Sequence, residues 1–464
     1  MKSVLFGDKN FYRTLARIAA PIALQQLVTS SVNLLDVLMV GQMGEVSIAA
    51  LGLSNQVFFL MTVILFGASS GMAIFTAQYW GKRDIVNIRK VLGIGILLAV
   101  SISFLFMLAV LIVPEKVLGY YTNDPEVLAL GAEYLRIVGW CYIPTAISFT
   151  FISVLRSTEN VKLPTVVSVL ALSMNMLLNY TLIFGNFGMP ALGVRGAAIG
   201  TTVSRTLECL LMVFFAYRRK TPAAAKAKEL FGFDWAFFNN TFKTSFPALL
   251  NEGVWAFGIT TYNSIYAHIG TEAIAAVNIN STIESMALVV FIGTAHASAI
   301  LIGNQIGAGN EEVAYEYGRR INILGIAGAV IVGILLIILR GLILSFYNIS
   351  AESMFYANRL LLFFAITLWM RVSNITIFIG VLRSGGDTRF CLIIETMAVW
   401  LVGVPAALIG ANVFHLPVYY VYLLAALEEA TKFFVNQWRF RSKKWINNLT
   451  DKTAESHAPK PELT

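Results

Sequence analysis

One apolar pattern occurs twice in this chain, and that duplication limits what it can fold into more than any other feature. Pro21, Gly44, Ile48-Ala49-Ala50, Gly67, Ala73-Ile74 and Gly81 return as Pro247, Gly270, Ile274-Ala275-Ala276, Gly293, Ala299-Ile300 and Gly307, each displaced by 226 residues. Val154-Leu155-Arg156-Ser157 returns as Val381-Leu382-Arg383-Ser384, displaced by one residue more. Of the 464 residues, 57% are hydrophobic and 13% charged, about half the charged share of an ordinary soluble domain. Twelve apolar stretches lie near 14–40, 50–77, 92–113, 126–155, 163–185, 196–217, 243–268, 274–303, 321–345, 353–382, 390–412 and 416–438. Each reaches the ~20 residues a helix needs to cross a bilayer. They do not alternate polar and apolar as barrel strands do, and helices satisfy their own backbone in lipid. The expected fold is an all-α integral membrane protein, with twelve transmembrane helices in two pseudo-symmetric six-helix bundles. Six spans per repeat is an even number, so both repeats enter with the same orientation.

The net charge of +8 does not point to nucleic acid, because the basic residues sort by side. With the N-terminus placed inside, the inner segments hold Lys82-Arg83, Arg89-Lys90, Arg218-Arg219-Lys220, Arg319-Arg320 and Lys443-Lys444 among others. The outer loops hold only Lys116, Arg195 and Arg340. That is the positive-inside pattern, and it puts both termini in the cytoplasm. The chain divides into an N-terminal lobe (1–217), a polar cytoplasmic linker (218–242), a C-terminal lobe (243–445) and a polar tail (446–464) read as disordered. Within the linker, Phe231-Gly232-Phe233-Asp234-Trp235 reads as an interfacial amphipathic piece. Cys141, Cys209 and Cys391 fall within helices and form neither a disulfide framework nor a metal spacing. Met1 to Lys9 runs into a full-length apolar helix without a small-residue cleavage site, so no cleaved signal peptide is expected. Pro144 and Pro405 interrupt the fourth and eleventh spans and permit bends there.

An ionisable residue inside a span is expensive and marks function by default. Asp36 lies among Leu34, Leu35, Val37 and Leu38, and Gln26, Thr29 and Asn33 share its helical face. In low dielectric such a carboxyl group can exchange a proton near neutral pH. Asn175 and Asn179 stand one turn apart on the fifth helix, with Thr201 and Thr202 early in the sixth. Their oxygens suit Na⁺ or a carboxyl partner, and equally serve as interhelical glue. Glu252 and Glu284 are further embedded acids. Glu133/Arg136, Arg205/Glu208 and Glu428/Lys432 have the spacing of structural ion pairs within one helix. Aromatic faces attract organic cations and methionine adapts to varied shapes, which adds Met61, Tyr142, Met174, Trp255 and Tyr262 to Gln26, Glu252 and Glu284 as candidate substrate-cavity residues.

Several motifs together resemble the multidrug and toxic compound extrusion (MATE) family. They are Pro21 with Asp36, Val40-Gly41-Gln42-Met43-Gly44, Ala49-Ala50-Leu51-Gly52, Gln78-Tyr79-Trp80-Gly81, Leu155-Arg156-Ser157, Gly193-Val194-Arg195-Gly196-Ala197-Ala198 and Gly303-Asn304-Gln305-Ile306-Gly307-Ala308-Gly309. The resemblance spans about 12–445. It implies a secondary active exporter in a bacterial inner membrane, working by alternating access. Small organic, often cationic compounds leave against inward H⁺ or Na⁺. It implies no cofactor, membrane lipid as the only surrounding partner, and a monomer. Asp36 matches the family's ion-coupling aspartate, with Asn33, Asn175, Asn179 and Thr202 around it and a possible Na⁺ site at Asp36, Asn175 and Asn179. The family's fifth-helix pair ends in an acid where this chain has Asn179, which leaves H⁺ as open as Na⁺. Trp255 stands where some branches carry a seventh-helix glutamate, and Arg371–Ile375 offers no tenth-helix aspartate. A lipid-linked oligosaccharide flippase of the same superfamily would need a basic cavity, and the embedded basic residues are scattered. A membrane-embedded lipid-modifying enzyme would need an acidic, histidine-rich or zinc motif, and none is present.

Overall fold

Helix starts keep the register of the repeat. The computed structural model describes residues 9–347 and 349–451, the side chains of 33, 34 and 36–38 excepted. In the first half lie α1 (Lys9–Gly41), α2 (Glu45–Gly81), α3 (Ile85–Ile112), α4 (Pro125–Ser157), α5 (Lys162–Phe184) and α6 (Val194–Arg218). In the second lie α7 (Trp235–Ile269), α8 (Thr271–Gly307), α9 (Glu311–Leu344), α10 (Ala351–Leu382), α11 (Thr388–Val413) and α12 (Val418–Ala425 continued by Leu427–Arg441). Each of α7 to α11 begins 226 residues after its counterpart among α1 to α5. Among the described residues, α2–α6 and α8–α11 are long and apolar enough to cross a membrane. The protein is an all-α integral membrane protein of two pseudo-symmetric six-helix bundles.

The register extends to the turns. After α2, Arg83 takes a left-handed φ of +60°, its N–H donating to the Trp80 carbonyl. After α8 the corresponding residue is Gly309, at φ +80°, donating to Ile306. The one-residue slip at Val381–Ser384 has a physical counterpart: α10 winds as a π-helix over Thr376–Leu382, the form that absorbs one inserted residue without moving the faces on either side. The proline bends are local changes of winding. Pro144 has no N–H to give the carbonyl one turn back, and the preceding turn, Gly139–Cys141, tightens to 3₁₀. Pro405 sits between π-helical stretches at Ala398–Gly403 and Ile409–Val413.

The chain forms two compact units, Leu24–Ser245 and the residues up to Ala23 together with those from Phe246 on. Both boundaries therefore fall inside helices, α1 and α7, just beside Pro21 and Pro247. In the Leu24–Ser245 unit, Met61, Leu65, Val110, Leu135, Cys141 and Tyr142 form a core from α2, α3 and α4. α5 and α6 run antiparallel in tight contact: Gly196 meets the Leu182 carbonyl and Gly200 the Asn179 side chain, where any Cβ would clash. The opening of α7 completes this unit, with Phe237 buried against Tyr79 and Ser245 closing on Gly71. The polar stretch before α7 is docked rather than loose: Leu230 packs over Gly93, and Arg89 on α3 pairs with Glu229 at 2.6 Å.

In the other unit, Ala276 and Val277 on α8, Leu360, Phe364 and Leu368 on α10 and Val421 on α12 centre the core. The opening of α1 belongs here, with Ala19 and Ala23 against Gly293 and Phe11 against Tyr317. Composition reads 446–464 as disordered, yet Asn447 and Leu449 are ordered on the α10–α11 turn. Asn447 bonds the Gly385 carbonyl at 3.0 Å, and Trp445 beside it is fully buried. Residues 452–464 lie outside the described residues.

Candidate functional site

Polar side chains within an apolar bundle gather where several helices each supply one. In the Leu24–Ser245 unit α5 and α6 make one such set. Asn179 donates to Asn175 at 3.4 Å, and Asn175 donates to the Thr201 hydroxyl at 3.4 Å, all three groups at least partly buried. Thr202 points elsewhere: its hydroxyl donates to the Ala198 carbonyl at 2.8 Å and lies 3.1 Å from that of Ile137 on α4. Position 201, not 202, thus meets the asparagines. The backbone of Asn33 and Asp36 continues α1, but their side chains lie outside the described residues. Gln26 is exposed, and its neighbour Gln25 accepts a 2.7 Å bond from Arg156 of α4. Met61 and Tyr142 are wholly buried in the core, whereas Met174 is 36% exposed.

The other unit holds a larger constellation drawn from six helices. Glu284 of α8 accepts from Arg371 of α10 at 2.6 Å, from Tyr422 of α12 and from Asn280. Arg371 also lies 3.8 Å from Glu429 of α12. Lys432 of α12 sits among three carboxylates, Glu428 at 3.3 Å and Glu395 of α11 and Glu429 at 3.5 Å. Tyr262 of α7 donates to Glu428 at 2.6 Å, and Asn374 of α10 donates to Glu429 at 2.7 Å. Ser373, next to Asn374 in the chain, donates to Asn322 of α9 at 2.8 Å. Four carboxyl groups (Glu284, Glu395, Glu428, Glu429) thus face two cations (Arg371, Lys432) in surroundings that water barely reaches. Glu252 of α7 adds nothing to the imbalance, since Arg383 neutralises it at 2.7 Å. Asn280 and Asn436, 2% and 1% exposed, each keep a side-chain oxygen without a donor. Full ionisation would leave two negative charges uncompensated in low dielectric, at several kcal/mol each.

Tyr262 and Glu284, expected to line a cavity, are members of this network. Trp255 lies apart at 40% exposure. Sequence spacing pairs Glu428 with Lys432 and leaves out Glu429, three residues from Lys432 on the same helix; it misses Arg371 and Glu395 because no local periodicity links α10, α11 and α12. It also pairs Glu133 with Arg136, and the structure corrects that. Arg136 binds Glu115 at 2.6 Å, while Glu133 binds Arg195, so each partner comes from a neighbouring segment. Arg205 and Glu208 do pair, at 2.9 Å. Among the described residues no three His, Cys, Asp or Glu side chains converge as a metal site.

A family model described as MatE matches residues 21–181 and 247–409, one match in each repeat. A probable multidrug resistance protein NorM of Thermotoga maritima is 24% identical over 405 residues, covering 87% of this chain and 86% of that one. The protein of the same description in Rhizobium meliloti is 28% identical over 403 residues, covering 84% and 85%. The fold matches the crystal structure of a mutant of the Vibrio cholerae MATE transporter VcmN with a TM-score of 0.87 at 17% identity, over 97% of this chain and 99% of that one. It also matches a MOP superfamily transporter from Pyrococcus furiosus with a TM-score of 0.83 at 18% identity, over 95% and 98%.

Proposed function

The chain belongs to the MatE family of membrane transporters, and we propose that it is a secondary active multidrug exporter driven by an inward H⁺ or Na⁺ gradient. Its cargo is small organic compounds, cations among them. The observation that carries coupling is the carboxyl excess in the α7–α12 unit, four acids against two bases. A purely structural network would balance its charge, because uncompensated buried ions are costly. An excess of acids is satisfied by bound protons or a bound cation, and an ion drives transport only if the two facing states bind it differently. The second ion-handling group in this reading is Asp36 with Asn33, Asn175 and Asn179, joined by Thr201 rather than Thr202, whose hydroxyl is turned to backbone carbonyls. The bond between Asn175 and Asn179 supports it, since it holds the two amides together on one face of α5. The pairing of Arg371 and Lys432 with acids weighs against a flippase, which would want free cations for a pyrophosphate.

The sidedness of Lys and Arg supports a multi-pass protein of a bacterial inner membrane with both termini in the cytoplasm. The reading also takes the chain as a monomer. The test is efflux of a fluorescent cation from proteoliposomes under imposed pH or Na⁺ gradients. Asp36→Asn keeps the side chain's size and removes its titration, so gradient-driven efflux is expected to fall to the leak rate while the protein still reconstitutes. Wild-type efflux by Asp36→Asn would remove Asp36 from the mechanism. Gradient-independent movement in the wild type would remove ion coupling altogether.

A further inference from the structure

We propose that His268 and His415 form a binding site for a divalent transition-metal ion at the ends of α7 and α11. The sequence has four histidines, and these two line one cavity of about 260 Å³ together with Asn412, Ile265, Ile269, Ala411 and Leu416. Both belong to the same compact unit. The Nδ1 of His268 lies 2.7 Å from the Ser264 carbonyl one turn back. A carbonyl only accepts, so Nδ1 carries the proton and the Nε2 lone pair is left for a ligand. That is the arrangement in which metal-binding histidines are held, one ring nitrogen donating to a fixed acceptor and the other coordinating.

His415 is fixed by its backbone. It takes a left-handed φ of +50° just past Phe414, which caps the π-helical end of α11. The flanking N–H groups of Phe414 and Leu416 bond Ile409 and Gly410 at 3.1 and 2.9 Å. Histidine tolerates the left-handed region better than most residues, and single π turns recur at functional sites. Two imidazoles and the amide oxygen of Asn412 suit Zn²⁺, Ni²⁺ or Cu²⁺ and are poor ligands for Mg²⁺ or Ca²⁺. Both histidines are exposed, so water completes the coordination and the ion exchanges freely. Bound metal would staple the end of α7 to the end of α11. The site is independent of the transport reading.

Cu²⁺ is the probe of choice, because it binds such ligands most tightly among the first-row ions. Untagged full-length protein in detergent is titrated with Cu²⁺ and examined by electron paramagnetic resonance. The wild type is expected to bind one ion in this cavity with two nitrogen donors. His268→Gln and His415→Asn should each weaken binding at least about tenfold, the scale on which even indirect ligand supports act. Asparagine is chosen at 415 because it accepts the left-handed backbone. His296→Gln should leave both the affinity and the two-nitrogen spectrum unchanged. Thermal melts of each variant without metal separate a lost ligand from a lost fold. A one-nitrogen spectrum, or affinity unchanged in either His268→Gln or His415→Asn, would overturn the proposal.

Discussion

Arg83 and Gly309 occupy the same place in the two repeats, and both are left-handed. An L side chain pays about 1–2 kcal/mol there. Around Gly309 a Cβ would meet nothing within 4 Å, so its replacement tests the backbone alone. Gly309→Ala is expected to destabilise by about 1 kcal/mol, read as a lower melting temperature in detergent. Arg83→Gly should not destabilise comparably, because the left-handed strain it relieves offsets the stacking of Arg83 on Trp80 (4.6 Å) that it forfeits. Lys432 is a harsher case. It is the cation nearest three buried carboxylates, and Lys432→Met strands them. Breaking a buried pair by removing one partner costs about 3–5 kcal/mol, so the variant should express poorly. Adding Glu395→Gln, which removes one of the stranded charges, should restore part of the yield of folded protein.

At the scale of elements, hydropathy made the helices legible: each of the twelve apolar stretches contains a helix, because a backbone in lipid has no other open-chain solution. The one-residue slip between Val154 and Val381 was also legible, and the π-helical stretch Thr376–Leu382 gives it a structural form. The glutamate network was not legible. Spacing along one helix finds neighbours three or four residues apart, but Arg371 meets Glu284 and Lys432 meets Glu395 across different helices. The ordering of 219–234 was hidden as well, because polar composition says nothing about docking. Glu229 holds that segment on α3. Its carboxyl group is pulled below its ordinary value of 4.5, first by the backbone N–H of Lys226 and then by Arg89. A depressed carboxyl contributes above its unfolded value and stops contributing as pH falls through the lower folded one. Proteolysis within 219–230 should therefore accelerate below about pH 4.5. In Glu229→Gln it should be faster at pH 7 and much less sensitive to pH.

For the molecule as a whole, the twofold repeat predicts two bundles, and the structure draws their edges inside α1 and α7, after Ala23 and after Ser245. The Leu24–Ser245 unit needs Phe237 and Ser245 from α7, against Tyr79 and Gly71. A fragment ending at residue 217 therefore lacks part of that packing, while one ending near 249 has it. In membranes the longer fragment is expected to resist protease, and the shorter one to be cleared several-fold faster in pulse-chase labelling. Equal lifetimes would mean that the α7 segment is dispensable to this unit.

The opening of α1 shows the same exchange from the other end. Phe11, Ala19 and Ala23 find their partners on α8 and α9, at Gly293, Tyr317 and Arg320. On a ribosome, these turns emerge nearly three hundred residues of synthesis before the surfaces they bind exist. Until then the opening of α1 lacks the contacts that bury it in the finished fold. Mutations at Gly293, far along the message, should thus be felt as instability at the N-terminus of the nascent chain.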